Sequence, residues 1–222
     1  IGGDRDGNPN VTPDVTRETF EMMRHAALSG HRRMLRRLGR ELSISARQVP
    51  PTDELREAIA ADEEEELVPP REVERYRLEP YRARILQMRA RLRRAREDSA
   101  AYSAARYVED LEMVARSLHA GGLGRIADRG LLFDALFLAR TFGFHLAALD
   151  VRQHSGRHEK AVAALLAAAG VTEDYTSLSE EERLEVLRGE LRSPRPLLAH
   201  GYSPSEETAA VLMRLEGGVT VS

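Results

Sequence analysis

Residues 12–43, TPDVTRETFEMMRHAALSGHRRMLRRLGRELS, decide the fold class of this chain. Thr12 is a residue type that caps helices, and Pro13 suits the first helical position after the cap. Apolar side chains then recur at helical spacing, at Phe20, Met23, Ala27, Met34, Leu38 and Leu42. Because such a stripe lies on one face of a helix, residues 13–43 are predicted to form one long amphipathic helix.

The same signals predict further helices along the rest of the chain. Apolar periodicity favours helices over residues 53–61, 80–98, 103–120 and 129–141. Two capping boxes start helices near the end, Ser179 with Glu182 and Ser203 with Glu206, and Pro204 takes the first helical position after Ser203. The acidic run at residues 62–66 and the prolines at 69–70 interrupt the pattern, which predicts a surface excursion that is prone to disorder.

One segment departs from the helical periodicity. After Gly143, residues 145–153 alternate with a period of two, which is typical of a strand and puts Asp150, Arg152 and His154 on one face. A single strand leaves its backbone groups unpaired. Its partner is therefore expected in residues 195–199, in another chain, or in a part of the protein beyond these residues.

Composition excludes several classes of protein. Of the 222 residues, 42% are hydrophobic and 31% are charged, which is typical of a globular protein with many surface helices. There is no cysteine, which excludes disulfides and thiolate metal sites and favours a reducing compartment. The net charge of −3 gives no overall field that attracts nucleic acid, and no apolar run is long enough to span a membrane.

The predicted strand carries the first candidate site. The guanidinium fork of Arg152 suits a phosphate or a carboxylate, and Asp150 could hold that fork in place. The alternative is a buried pair of Asp150 and Arg152 that only orders the sheet. His154 and His158 are four residues apart, but a strand-to-helix turn is expected between them, so metal binding is the weaker interpretation.

The opening loop, residues 2–12, is the second candidate site. It is rich in glycine, aspartate and asparagine, and it leads into a helix N-terminus, where anions bind. A phosphate cradle and an ordinary turn held by side-chain hydrogen bonds both remain open. An EF-hand loop is excluded, because Pro9 and Val15 stand where it needs glycine and glutamate, and no P-loop motif follows.

The remaining histidines and arginines are interpreted as structural. His25, His31 and His119 lack the spacing of metal ligands on one helix face and are predicted to be ordinary helix residues. The arginines of residues 82–96 could suggest RNA binding, but no aromatic side chains accompany them for base stacking. Since that helix also has an apolar stripe to bury, a solvated helical face is the favoured interpretation.

Three motifs, in order along the chain, resemble phosphoenolpyruvate carboxylase of the bacterial and plant type. They are GGDRDGNPNVT at residues 2–12, Phe142-Gly143 leading to LDVRQHS-x-RH at residues 149–158, and EL-x-S-x-RPLL at residues 190–198. The similarity runs along the whole chain and is weakest over residues 45–100. One departure is His154, which stands where the family usually has glutamate.

The resemblance implies a lyase that fixes carbon dioxide, converting phosphoenolpyruvate and bicarbonate into oxaloacetate and phosphate with Mg²⁺ or Mn²⁺. It also implies a largely helical fold around a β-barrel. This chain is therefore expected to be mainly α, a helical segment carrying one or two strands of a partial α/β barrel. By the same resemblance, Arg152 contributes to the substrate's phosphate site, and Asp150, Gln153, Arg5 and Asp6 support it.

The resemblance further implies that this chain is a fragment. The family's catalytic histidine lies upstream, and its metal-binding carboxylates, catalytic lysine and Gly-Arg-rich loop lie downstream. The isolated chain is therefore expected to hold no catalytic residue, to bind no metal and to be inactive. The full-length enzyme is expected to be a cytoplasmic, allosteric homotetramer formed with the remainder of the chain, without nucleic-acid or membrane partners.

We expect residues 1–222 to form a single internal segment of the larger enzyme. Its parts are a loop plus long helix (1–43), a variable surface excursion (44–80), a group of helices (81–142), and a barrel strand plus helices (143–222). Two alternatives remain open. One is a helical scaffold that kept the sequence without the chemistry, and the other is a phosphate-binding regulatory module.

Overall fold

The computed structural model describes residues 10–148, 154–197 and 201–219, and helices dominate this part of the chain. The helices are α1 (Pro13–Glu41), α2 (Asp53–Glu64), α3 (Pro70–Arg75), α4 (Pro80–Glu97), α5 (Ala104–Ala120), α6 (Gly124–Asp128), α7 (Leu131–Phe142), α8 (Ser155–Ala168), α9 (Glu180–Arg192) and α10 (Glu206–Val219). Short 3-10 turns occur at Ser99–Ala101 and Tyr175–Ser177. Within the described residues, no helix is both long and apolar enough to cross a membrane.

Contacts divide the chain into two compact units, Glu21–Ala148 and a second made of Ile1–Phe20 with Leu149–Ser222. The predicted apolar stripe of α1 enters the core of the first unit, where Leu38 and Leu42 are fully buried. Burial of one leucine side chain stabilises a fold by roughly 1.5–3 kcal/mol. The core is completed by side chains that project from α4, α5 and α7: Tyr81, Ile85, Met88, Leu92, Tyr107, Leu111, Val114, Leu118, Leu132, Ala135 and Ala139.

The second unit contains α8, α9 and α10. Helix α8 packs against α10 and against the turn at Tyr175–Ser177. The capping box that starts α9 is confirmed, since the Ser179 backbone N–H donates to Glu182 Oε2 at 2.8 Å and the Ser179 hydroxyl accepts from the Glu182 N–H.

The start of α10 predicted from a capping box of Ser203 and Glu206 is wrong. Helix α10 begins at Glu206, and its first turn is capped by Ser205, whose Oγ accepts from the Thr208 N–H at 3.3 Å.

The predicted barrel strand is wrong. Residues 145–148 form a bend and irregular backbone, residues 195–197 form no strand either, and residues 149–153 and 198–199 lie outside the described residues. Over the ranges that the structure describes, the chain has helices but no strand, sheet or barrel, so the expectation of one or two barrel strands is corrected to a helical domain alone. Alternation shows only which side chains could share a face, whereas a strand also needs a neighbour to pair with its backbone.

The acidic run after residue 61 is better ordered than the sequence suggests. Helix α2 continues through Glu64, and the side chain of Asp62 is 3% exposed. Helix α3 then begins at Pro70, which takes the first helical position. The helix continues because Asp62 faces inward, where it meets arginine side chains of α4.

A buried ionic cluster holds α2, α4 and α5 together. The Arg84 guanidinium, 1% exposed, donates from Nη1 to Asp62 Oδ2 at 2.8 Å and from Nη2 to Asp110 Oδ1 at 2.9 Å. Asp110 also accepts from the Tyr102 hydroxyl at 2.6 Å, and Asp62 accepts from Arg91 Nε at 3.1 Å. Charges buried without partners are costly, so each member of the cluster depends on the others.

We expect Arg84→Met to lower the free energy of unfolding of the chain by about 3–5 kcal/mol, because it removes the fully buried cation that Asp62 and Asp110 share and leaves them only the more exposed Arg91 and Arg106. Arg116→Met is the matched control. Its ion pair with Glu54 is half exposed, so the loss is about 0–1 kcal/mol. Urea denaturation followed by circular dichroism measures both values. Equal losses in the two variants would contradict the structural role of Arg84.

Candidate functional site

All five predicted site residues lie outside the described residues. These residues are Arg152, Asp150, Gln153, Arg5 and Asp6. Their roles stay predictions. The structure does describe the chain on both sides of the Arg152 segment, residues 149–153, at residues 142–148 and 154–158.

A sharp turn at Gly143 leads into the Arg152 segment. Gly143 has φ +50° and follows the last residue of α7, and its N–H donates to the Ala139 carbonyl at 2.9 Å. A Cβ at this position would lie 3.2 Å from the ring of His145, in addition to the strain of a positive φ. The turn closes with a bond from the His145 N–H to the Phe142 carbonyl at 3.0 Å.

His31 of α1 fixes the carbonyl of this turn. Its Nε2 lies 2.7 Å from the Gly143 oxygen, and since a carbonyl only accepts, Nε2 carries the proton and donates. The imidazole is 5% exposed. Burial lowers the pKa of His31, and the hydrogen bond to Gly143 raises it by a smaller amount. His31 was predicted to be an ordinary helix residue and it lies in α1, but its hydrogen bond to Gly143 joins residues 112 positions apart, which local spacing does not reveal.

Phe144, the next residue, is held in an aromatic cluster. Its ring, 5% exposed, lies 5.7 Å from the Tyr107 ring, 6.0 Å from the His31 ring and 6.2 Å from the Tyr102 ring, measured between centroids. The Arg24 guanidinium lies 5.8 Å from the Phe144 centroid. Each aromatic pair contributes about 0.5–1.5 kcal/mol beyond burial of area. The backbone of residues 143–144 is therefore held both by a hydrogen bond and by packing.

Tyr107 adds an unusual feature to this cluster. Its side chain is fully buried, and among the described residues its hydroxyl has no hydrogen-bond partner. Burial raises the pKa of this hydroxyl, so it stays protonated at neutral pH. A buried donor without a partner is rare in folded proteins and costs about 1–3 kcal/mol.

On the far side of the segment, His154 caps α8. Its Nδ1 accepts from the Gly156 N–H at 3.2 Å, which satisfies one of the free amides at the helix N-terminus. Glutamate at this position, the residue usual in the family that the sequence resembles, could accept the same bond. No group of three or more histidine, aspartate or glutamate side chains that could hold a metal ion is found in the described part of the chain.

The third sequence motif closes the end of α9. Arg195 Nη2 lies 3.1 Å from both carboxylate oxygens of Glu190, and the Arg195 N–H donates to the Ser193 hydroxyl at 3.5 Å.

His119, which was interpreted as an ordinary helix residue, pairs through Nε2 with Asp128 Oδ1 at 2.9 Å. Both arrangements are local and exposed, and they order helix ends.

Arginines of α1 and α4 crowd together beside a cleft of about 260 Å³. The cleft is lined by Leu35, Arg36, Gly39, Arg40, Tyr76, Arg82, Ile85, Leu86 and Arg89. Burial, followed by repulsion from neighbouring arginines that include Arg36 and Arg93, lowers the pKa of both Arg32 and Arg89. The Nε atoms of Arg32 and Arg89 are buried without a hydrogen-bond partner in the described part of the chain. Arg93, Arg94 and Arg96 are exposed, as the predicted solvated face requires, but the prediction is wrong for Arg84, which is fully buried because it pairs with Asp62 and Asp110.

Comparison with known proteins shows one family. The family model of phosphoenolpyruvate carboxylase matches residues 1–216. A phosphoenolpyruvate carboxylase of Rhodothermus marinus is 48% identical over 219 residues, which cover 96% of this chain and 23% of that protein. Proteins of the same name from Roseiflexus castenholzii and Nocardia farcinica are 41% and 40% identical, over 96% and 94% of this chain. The chain thus spans about a quarter of the length of these curated relatives.

The lowered pKa of His31 predicts a loss of stability in acid. The ordinary pKa of histidine, 6.5, applies to His31 in the unfolded chain, and the pKa of folded His31 is lower. As the pH falls through 6.5, His31 is therefore protonated more in the unfolded chain than in the folded chain, and the free energy of unfolding decreases. The slope reaches at most about 1.4 kcal/mol per pH unit. Urea titrations between about pH 5 and pH 8 measure it. His31→Gln removes this slope and His25→Gln, on the same helix, retains it; an unchanged slope in His31→Gln would contradict the assignment.

The crowding of arginines predicts that Arg36→Glu stabilises the chain, because it replaces repulsion by attraction to Arg32 and Arg89. The gain is about 0.5–1 kcal/mol at low salt. It shrinks at about 1 M salt, where the screening length is about 3 Å. Arg37→Glu, an exposed neighbour on the same helix, is the control and changes stability less. Thermal unfolding at both salt concentrations measures the effect, and identical behaviour of the two variants would exclude it.

Proposed function

The chain belongs to the phosphoenolpyruvate carboxylase family, and from this premise we propose that it is a part of an enzyme that carboxylates phosphoenolpyruvate with bicarbonate, giving oxaloacetate and phosphate. The observation that carries the proposal is identity of 48% over nearly the whole chain to a protein of that name. We propose the activity and its substrates for the whole protein, because the chain spans only about a quarter of the length of its relatives. We also propose that the whole protein is a cytoplasmic, allosteric tetramer.

Within that enzyme, we propose that Arg152 binds the phosphate of the substrate. In the overall reaction, the bond between phosphorus and the enol oxygen breaks, the phosphoryl group takes one oxygen from bicarbonate and leaves as phosphate, and the remaining CO2 unit becomes the new carboxyl group. The phosphate oxygens therefore carry negative charge both in the substrate and in the released phosphate. A guanidinium fork offers two parallel N–H donors to such oxygens and cannot lose its charge near neutral pH. Asp150 orients the fork, and Gln153, Arg5 and Asp6 support the same pocket.

The metal ion is part of the proposal for the whole enzyme only. Mg²⁺ or Mn²⁺ would neutralise charge on the reacting oxygens. We assign the described residues no role in holding it, because no group of three or more histidine, aspartate or glutamate side chains that could hold a metal ion is found among them. The proposed contribution of this chain is a share of the phosphate pocket, and the isolated chain is proposed to be inactive.

Two variants of the full-length enzyme test the role of Arg152. Arg152→Ala removes two charge-assisted hydrogen bonds, worth about 1.5–3 kcal/mol each, so kcat/KM for phosphoenolpyruvate falls at least about a hundredfold. Arg152→Lys keeps the charge without the fork and recovers part of the loss. Steady-state kinetics with oxaloacetate detection measures both.

The control is Arg192→Ala, at an exposed position in the last turn of α9, which keeps wild-type kinetics. Near-normal kinetics of Arg152→Ala would refute the assigned role and favour a buried Asp150–Arg152 pair. A full-length protein without carboxylase activity would instead favour the scaffold or regulatory alternative. The isolated chain is expected to form no oxaloacetate, and turnover by it would contradict the fragment role.

A further inference from the structure

We propose that a row of arginine side chains along α1 and α4 is a docking surface for an acidic segment from the remainder of the enzyme chain. This surface, which we call the arginine face, consists of Arg32, Arg36, Arg89, Arg93 and Arg96. All five residues lie in the first compact unit. The inference rests on the proposed function, because it requires that the chain is part of a longer enzyme.

Helices α1 and α4 lie side by side and run in opposite directions, which brings their arginines together. In the first half of α1, Arg24 Nη2 donates at 2.8 Å to the carbonyl of Ala95, near the end of α4. Near the end of α1, a Cβ added to Gly39 would lie 3.2 Å from Ile85 Cγ2, in the first half of α4. Four members of the arginine face lie between these two contacts, and Arg96 directly follows Ala95.

The arginine face carries five positive charges and little negative charge to balance them. The pKa of Arg32 is lowered first by burial and then by repulsion from three other members of the face. The pKa of Arg89 is lowered by burial and again by three members of the face, and attraction to Glu72 of α3 offsets only part of this. A ligand with several negative charges on this face would offset these repulsions.

The guanidinium groups of the face also lack acceptors. The Nε atoms of Arg32 and Arg89 are buried without a partner, and no nitrogen of either group donates to another described residue. At Arg84 the Nε likewise has no partner, but both Nη atoms donate to buried carboxylates. Arg32 and Arg89 are thus partly buried in the surface without the carboxylates that α2 and α5 supply to Arg84.

The spacing of the arginines favours a polypeptide segment as the occupant. Arg32 and Arg36 are one turn apart on α1, and Arg89, Arg93 and Arg96 span two turns of α4, or roughly 10 Å. One small anion cannot contact donors along this whole length. Glutamate or aspartate side chains three or four residues apart on a helix repeat at the same distance as the arginines, so they can pair with them in succession.

Nucleic acid fits the arginine face less well than an acidic segment does. Single-stranded nucleic acid needs aromatic rings on which its bases stack. Tyr76 lines the cleft beside the face, but its ring already makes cation–π contacts with Arg82 at 4.4 Å and with Arg75 at 5.4 Å. The face itself contains arginine alone, which suits carboxylates.

The remainder of the enzyme chain is the source to which we assign the acidic segment. The chain spans about a quarter of the length of its curated relatives, so most of the proposed enzyme lies outside these residues. The arginine face is therefore placed where further parts of the same enzyme can cover it. The other possible source is a second copy of this chain, whose glutamates at positions 63–66 are exposed, and the test distinguishes the two.

Cross-linking in the full-length enzyme tests the proposal. Arg36→Lys keeps the positive charge and adds an amine, which a carbodiimide joins to a carboxylate in contact with it. Background within residues 1–222 is low, because Lys160 is their only lysine. We expect a cross-link from position 36 to an aspartate or glutamate outside residues 1–222, identified by mass spectrometry of the digested enzyme and absent from the wild-type enzyme.

Arg37→Lys, at the exposed neighbouring position on α1, is the matched control and is expected to give no such cross-link. A cross-link to residues 63–66 of another copy would overturn the assigned source and indicate self-association. The absence of any cross-link from position 36, or a cross-link only to Glu72, would overturn the docking surface. Equal cross-linking from positions 36 and 37 would overturn it as well, because the contact would then not depend on the arginine face.

Thermal unfolding of the full-length enzyme gives a second, independent measurement. Arg36→Glu is expected to lower the melting temperature by about 2 °C or more at low salt, because the acidic segment then faces a negative charge. The loss is expected to shrink at about 1 M salt. In the isolated chain, the same substitution is expected to be stabilising, so its effect reverses sign. Should Arg36→Glu not fold, Arg93→Glu takes its place. A raised or unchanged melting temperature of the full-length variant would contradict the proposal.

Carboxylase activity, measured in the same preparations, separates this inference from the proposed function. If the wild-type enzyme forms oxaloacetate and Arg36→Lys gives no cross-link, the docking surface fails and the proposed function stands. If the full-length protein forms no oxaloacetate but the cross-link is found, the proposed function fails and the docking surface stands. If inorganic phosphate stabilises the wild-type enzyme but not Arg36→Glu, and no cross-link forms, a small-anion site replaces the proposal.

Discussion

The salt-bridged guanidinium of Arg84 is the interaction on which the first unit depends. It lies in the core between Asp62 of α2 and Asp110 of α5, and it comes from α4, so three helices each carry one charge into a space that excludes water. None of these charges can be buried alone. Hydrogen bonds between paired charges require particular distances and angles, so they restrict how the three helices can align. We infer that this cluster sets the register of the three helices.

The same residue type has the opposite effect on the neighbouring face. Burial lowers the pKa of Arg32 and Arg89 there, and repulsion from neighbouring arginines lowers it further, which Glu72 partly offsets at Arg89. The chain contains 33 basic residues, nearly all of them arginine. Among the described arginines, some pair with carboxylates and others lie beside further arginines. A count of arginines therefore predicts neither stability nor binding, because the sign of each contribution depends on the neighbouring side chain.

Sequence reasoning succeeded where the signal was local. The long helix at residues 13–43 was predicted to within two residues of its end at Glu41, because the apolar spacing lies within the helix and the capping threonine directly precedes it. The capping box at Ser179 is local as well. The strand was wrong, because alternation at residues 145–153 carries no information about a pairing partner. The burial of Asp62 was not predicted, because its partner Arg84 lies 22 positions away. His31 lies in α1 as predicted, but its hydrogen bond to Gly143, 112 positions away, was not predicted. The roles of Arg152 and Arg5 stay predictions.

The hydrogen bond between His31 and Gly143 also has a consequence for the order of folding. It closes a loop of more than a hundred residues, and the entropy lost in closing a loop grows with its length. Neighbouring helix pairs such as α4 with α5 close much shorter loops and are expected to form earlier. On a ribosome, α1 emerges well before Gly143 is synthesised. The turn that leads towards Arg152 therefore takes its final shape late, after the helices that hold it have assembled.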